Sequence, residues 1–137
     1  MTTVLFICQS NKGKSQMAEA LMNLHSGGRV RAISAGTKAA VGQAVNAESA
    51  ASVAQLGADM SAGTPKFASA EDLAAADRIV IVGDAAQLED ATPDVLAKVE
   101  RWSTDEPSKR GIEGKERMNL IRDDIDARVQ KLLAELG

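Results

Sequence analysis

Tyrosine is absent from this chain of 137 residues, which holds one tryptophan and two phenylalanines. The core must therefore be built from Ala, Val, Leu, Ile and Met. Cysteine occurs once, at Cys8, so no internal disulfide can form. That fits a reducing compartment, and a cytoplasmic location is expected. Histidine also occurs once, at His25, and no Cys/His cluster is spaced for a metal. Asp123, Asp124 and Asp126 lack an ordered metal-loop pattern and read as a solvated helix face paired with Arg122 and Arg128. No metal is expected. Long apolar runs are missing too. Val4-Leu5-Phe6-Ile7 is too short for a membrane span and has no basic lead-in of the secretory kind. There is no basic tract, and the net charge is −3, so nucleic-acid binding has no support.

What is present is ordinary for one globular domain. The apolar share is 45%, and 137 residues suffice for one core. No repeat, linker or boundary divides the chain, and residues 1–137 read as a single domain. Residues 3–7 form a short apolar run without polar alternation, as expected of a parallel strand covered on both faces. Residues 14–25 carry Met17, Ala20, Leu21 and Leu24 at helical spacing, ended by Ser26-Gly27-Gly28. Residues 29–34 read as a second strand and 46–56 as a second helix. Residues 71–76 suggest a short helix, 78–82 the clearest buried strand, and 99–102 a weaker strand after a loop that has room for a turn of helix. A polar loop over 103–113 leads to a last helix over 116–136, striped with Met118, Ile121, Ile125, Val129, Leu132, Leu133 and Leu136. Strands alternating with helices imply an α/β domain of three layers around a four-stranded parallel sheet. In such sheets ligands sit beyond the carboxyl ends of strands.

The first strand ends at Cys8. Gln9, Ser10, Asn11, Lys12, Gly13, Lys14 and Ser15 follow, and then a helix begins. Main-chain N–H groups in such a loop can point inward as an anion nest, and the helix start adds unpaired donors. Lys12 and Lys14 add positive charge; Ser10 and Ser15 add hydroxyls. In these surroundings a thiolate is favoured over a thiol. The features that would hold a tetrahedral oxyanion thus also activate the sulfur beside it. The alternative, an inert buried cysteine at a strand end, predicts apolar residues after Cys8; polar, cationic and glycine residues follow instead.

Cys8-(five residues)-Lys14-Ser15, directly after a strand and before Gln16-Met17-Ala18-Glu19-Ala20, resembles the signature of the low-molecular-weight protein tyrosine phosphatase family, which includes thiol-linked arsenate reductases. Ser34-Ala35-Gly36-Thr37, Val80 to Asp84, Trp102 to Pro107 and Arg117 to Asp124 are similar to other stretches of that family. The likeness is strongest to the arsenate–mycothiol transferases. It implies that Cys8 attacks arsenate as a nucleophile while main-chain N–H groups from Gln9 to Ser15 hold the oxygens. Lys14 stands where the family usually has arginine, a point charge for a bidentate fork. Asn11 is expected to brace the loop, and Ser15 to donate to the thiolate. The family places an acid before a proline; here Asp105 and Glu106 precede Pro107, and either can serve. Trp102 reads as packing, and His25 as a helix-end cap or a solvated side chain.

Arsenate reduction takes two electrons, which one cysteine cannot supply through an internal disulfide. The resemblance implies mycothiol as co-substrate and a mycoredoxin to finish the reduction, in a monomer or weak dimer. Two other readings stand beside this one: a low-activity phosphatase of the same fold, and a non-catalytic oxyanion-binding domain. Thr64, Pro65 and Lys66 are among the residues that could border a thiol pocket.

Overall fold

The computed structural model of the chain describes residues 1–89 and 91–137. Its strands are β1 (Thr2–Cys8), β2 (Val30–Gly36), β3 (Arg78–Val82) and β4 (Val99–Trp102), and its helices α1 (Lys14–Ser26), α2 (Ala47–Ala54), α3 (Ala70–Ala75), α4 (Pro93–Leu96) and α5 (Gly114–Leu136). A single 3₁₀ turn, Pro107–Arg110, interrupts the loop before α5, a stretch read from sequence as plain loop. The four strands are all parallel, in the order β2-β1-β3-β4.

The apolar runs behave as buried parallel strands should. Val4, Phe6, Val80, Val82 and Trp102 pack on one face against α1, α2 and α5. Leu5, Ile7, Ile79 and Ile81 pack on the other against Leu73, Ala76 and Val95 around α3 and α4. The result is three layers, helix, sheet and helix. Phe6 and Trp102 meet with ring centroids 5.7 Å apart, so Trp102 is a packing residue. Among the described residues, no helix is long and apolar enough to cross a membrane.

α5 begins at Gly114, earlier than its apolar stripe suggests, and buries Met118, Ile121, Ile125, Val129 and Leu132. Arg122 is not on a solvated face. It is 8% exposed and donates to the Ser52 carbonyl at 3.1 Å, joining α5 to α2. Asp126 pairs with His25, Nε2 to Oδ1 at 2.6 Å, so the lone histidine ties the end of α1 to α5. Asp123 and Asp124 follow expectation: exposed Asp123 meets Arg122 at 2.8 Å, and Asp124 meets Arg128 at 3.2 Å.

The topology fixes where a ligand belongs. The chain runs from β1 outward to β2, then returns to the other side of β1 for β3. The carboxyl ends of β1 and β3 therefore flank a switch point, the position where open α/β sheets leave a crevice. Cys8 ends one of these strands and Gly83 follows the other.

Candidate active site

Every main-chain carbonyl from Cys8 to Gly13 is used on the outside of the loop. Cys8 O accepts from Thr37 N at 3.1 Å, Gln9 O from Lys38 N at 2.8 Å, and Ser10 O from Ala40 N at 3.0 Å. Asn11 O accepts from Gln16 Nε2 at 3.2 Å, Lys12 O from Asn46 N at 2.8 Å, and Gly13 O from Met17 N at 2.9 Å. Among the described residues no peptide bond is cis. In a trans peptide the N–H opposes the C=O of the same plane. Outward carbonyls on residues 9 to 13 therefore turn the following N–H groups inward. Asn11 N–H reaches Cys8 Sγ at 3.2 Å and Lys12 N–H reaches Ser10 Oγ at 3.2 Å. The N–H groups of Gln9, Ser10, Gly13, Lys14 and Ser15 donate to no acceptor among the described residues. This is an anion nest around a sulfur.

Asn11 holds the loop in shape. It has φ 58°, a left-handed conformation that Asn tolerates better than most residues, and it is fully buried. Its Oδ1 accepts from Lys66 N at 3.0 Å and its Nδ2 donates to Ser15 Oγ at 2.8 Å. Because Ser15 Oγ already accepts there, its hydrogen is left for Cys8 Sγ, 2.9 Å away. Ser15 is the second residue of α1 and does not cap it; Gly13 occupies the cap position. Lys66 also supplies the main-chain donor that seats Asn11.

Cys8 is 7% exposed and lines a well of about 210 Å³ together with Ser10, Lys14, Gly83, Asp84 and Glu106. Lys14 makes no side-chain hydrogen bond among the described residues, and its ammonium lies over Gly83, 3.2 Å from where a Cβ there would sit. Lys12 turns the other way and donates to Gln43 Oε1 at 3.0 Å. Of the two acids before Pro107, only Glu106 lines the well. Asp105 is engaged by Arg110 in a two-pronged pair at 2.7 and 3.1 Å. The hydrogen bond from Arg110 holds its carboxyl below the usual carboxylate range. Glu106 in turn pairs with Lys109, and that hydrogen bond holds the ammonium above its ordinary range.

The sequence model described as low molecular weight phosphotyrosine protein phosphatase matches residues 3–137. The chain belongs to this family. An arsenate reductase of Bacillus licheniformis is 32% identical over 141 residues, covering 98% of this chain and 96% of that protein. One of Bacillus subtilis is 30% identical over 138 residues with the same coverage. Among solved structures, a low molecular weight protein tyrosine phosphatase from T. tengcongensis is 25% identical, with TM-score 0.82 over 98% of this chain and 99% of that one. An arsenate reductase in a phosphate-binding state shares 23% identity and the whole fold, with TM-score 0.81 and full coverage of both chains.

In this phosphatase-family member several residues that shape the site gave no chemical signal in the sequence. A Cβ on Gly36 would lie 2.7 Å from the Gln9 carbonyl oxygen and 3.1 Å from Asn11, so the loop rests directly on strand β2. Arg101 donates to the carbonyls of Gly83 and Ala86, both at 2.7 Å, and fixes the loop after β3. Asp124 accepts from Asp105 N at 2.9 Å, and Arg128 donates to Ser103 O at 2.9 Å, so α5 anchors the acidic loop. The pattern of alternating glycine and charge is legible in sequence; these distant partners are not.

Proposed function

We propose that this chain is an arsenate:thiol transferase. Arsenate seats in the well, its oxygens on the inward N–H groups from Gln9 to Ser15 and on the Lys14 ammonium. The Cys8 thiolate forms a bond to arsenic as one As–O bond breaks, and the departing oxygen takes a proton from Glu106 and leaves as water. A small thiol then bonds to the same arsenic while the Cys8 S–As bond breaks. Its proton returns to Glu106, and Cys8 is a thiolate again. Arsenic is still pentavalent at this point. A redoxin thiolate then attacks the thiol sulfur; an S–S bond forms, and the electron pair of the S–As bond stays on arsenic as arsenite. Mycothiol and a mycoredoxin are the expected thiol and redoxin.

One observation carries this reading. The sulfur inside the amide ring is the chain's single cysteine, so the second sulfur must come from outside. The arsenate reductases among the relatives supply the oxyanion.

Mass spectrometry after incubation with arsenate and mycothiol tests it. A thiol–arsenate adduct is expected with the native protein and none with Cys8→Ser. Absence of the adduct and of arsenite when mycothiol and mycoredoxin are both supplied would sink the proposal. Arsenate binding without any Cys8-dependent transfer would make the domain a binder.

The family's phosphatase activity is the second reading, favoured by the matching family model itself. Against it, Ser108 and Lys109 follow Pro107, and no tyrosine exists to wall an aromatic substrate. Aryl phosphate turnover at the rate of true phosphatases would favour it.

A further inference from the structure

A second cavity opens beside the well. It encloses about 270 Å³ between the end of β2, the stretch before α3 and the loop after β3. Gln9 and Ala85 line both this cleft and the Cys8 well, so the two spaces adjoin across a shared rim. Thus a molecule lying in the cleft can extend one end over the sulfur.

The cleft is built rather than incidental. Its floor is main chain locked on both sides: Gly36 N–H donates to Lys66 O at 2.8 Å, and Ala68 N–H donates to Gly36 O at 3.1 Å. The two Arg101 bonds hold the opposite wall at Gly83 and Ala86. On this frame Phe67 stands 59% exposed, an unusual position for one of three aromatic residues in the chain. Leu73 and Leu88 supply further apolar surface. The side chains of Gln9, Lys38 and Gln87 point no hydrogen bond at any described residue, so their donors and acceptors are available to a ligand. An exposed aromatic face, a few aliphatic carbons and unpaired amides suit a polar organic molecule with hydroxyl or amide groups.

Charge narrows the class. The cleft is lined by one cation, Lys38, and one acid, Glu89. On the other rim of the well lies a pocket of about 310 Å³ with Lys12, Lys14 and Arg117 and no acid. An anionic ligand would favour that pocket; an uncharged one gains nothing there.

We infer that the cleft of Gln9, Lys38, Phe67 and Gln87 holds the head of the thiol co-substrate, and that it selects an uncharged, hydroxyl- and amide-rich thiol over an anionic one. The inference rests on the transferase reading. The head lies over Phe67, the sulfur crosses the rim at Gln9, and it meets arsenic from the open side of the well. The bonds made and broken are those of the second transfer step above.

Two measurements on the full chain test this. Phe67→Ala and Gln87→Ala, both exposed and neither lining the Cys8 well, are assayed for transfer to mycothiol. KM for mycothiol should rise about tenfold with kcat nearly unchanged, the signature of lost uniform binding. KM for arsenate and the protection of Cys8 by arsenate against alkylation should stay at native values. KM for mycothiol within twofold of native in both variants would overturn the inference. Separately, amide resonances are followed while mycothiol or glutathione is titrated in. Mycothiol should shift Thr37, Lys38, Phe67 and Gln87. Shifts confined to Lys12 and Arg117, or no shifts, would also overturn it. If the native protein transfers nothing to either thiol, the transferase reading falls, and the titration alone then decides whether the cleft binds such molecules.

Discussion

Lys14 gives a bound oxyanion a single positive point where the family usually presents a planar fork. The ammonium is strongly hydrated and makes no bidentate grip, so phosphate is held less well in the geometry that hydrolysis needs. Lys14→Arg should therefore raise kcat/KM for an aryl phosphate by about tenfold or more, the guanidinium lying over Gly83 where no Cβ obstructs it. An unchanged kcat/KM would show that the fork is not what this well lacks. The two acids before Pro107 separate by environment. Asp105 is held by Arg110, which keeps its carboxyl below the usual range, and it does not line the well. Its carboxyl is lowered in the folded state, so the pair contributes above the ordinary carboxylate range and is lost only as the pH falls through the lowered value. Glu106 faces the well. Glu106→Gln should cut kcat by about a hundredfold, within the usual span of general acid catalysis, whereas Asp105→Asn should cost less than about fivefold, the scale of an exposed ion pair. Rate measurements from pH 5 to 8 decide: equal losses in both variants would refute the assignment.

The loop from Cys8 to Ser15 owes its shape to elements far away in sequence. Residues 37 to 40 and Asn46 take its carbonyls, Lys66 seats Asn11, and Gly36 lets it lie flush on β2. A methyl at Gly36 would sit 2.7 Å from the Gln9 oxygen and force that peptide aside. Gly36→Ala should lower arsenate affinity and transfer at least tenfold, about 1.4 kcal/mol. Its far-ultraviolet dichroism should stay native, because β2 itself remains paired with β1. Native affinity in this variant would mean that the loop tolerates displacement. The same contrast explains what could be read beforehand. β1 and β3 announce themselves because burial on both faces leaves an uninterrupted apolar run. The loop does so because sulfur, cations, hydroxyls and glycine stand together after a strand. The outer partners do not, because a main-chain N–H at Lys38 or Ala40 looks the same in sequence whether it turns toward solvent or toward the loop. Arg122 and His25 were legible as polar residues on helices, but their burial depends on how α5 crosses α1 and α2.

At the scale of the whole molecule, the sheet order places the chain's single cysteine at the switch point, and no second thiol exists to pair with it. Both faces of the sheet are covered by helices, and Cys8 lines the well at its open end. Its 7% exposure also keeps two copies of the chain from joining sulfur to sulfur without unfolding the loop, since a disulfide needs Cβ atoms about 4 Å apart. Neither one chain nor a pair can then gather the two thiols that reduce arsenate. The expected arsenic speciation follows directly. Protein and arsenate alone should yield no arsenite above background, even at stoichiometric protein. Adding mycothiol should move arsenic to the thiol with its oxidation state unchanged, and adding the redoxin should release arsenite in proportion to redoxin disulfide formed. Chromatography coupled to arsenic-specific mass detection reads all three stages. Arsenite released at the first stage, before any outside sulfur is present, would mean that electrons reach arsenic by a route this fold does not provide.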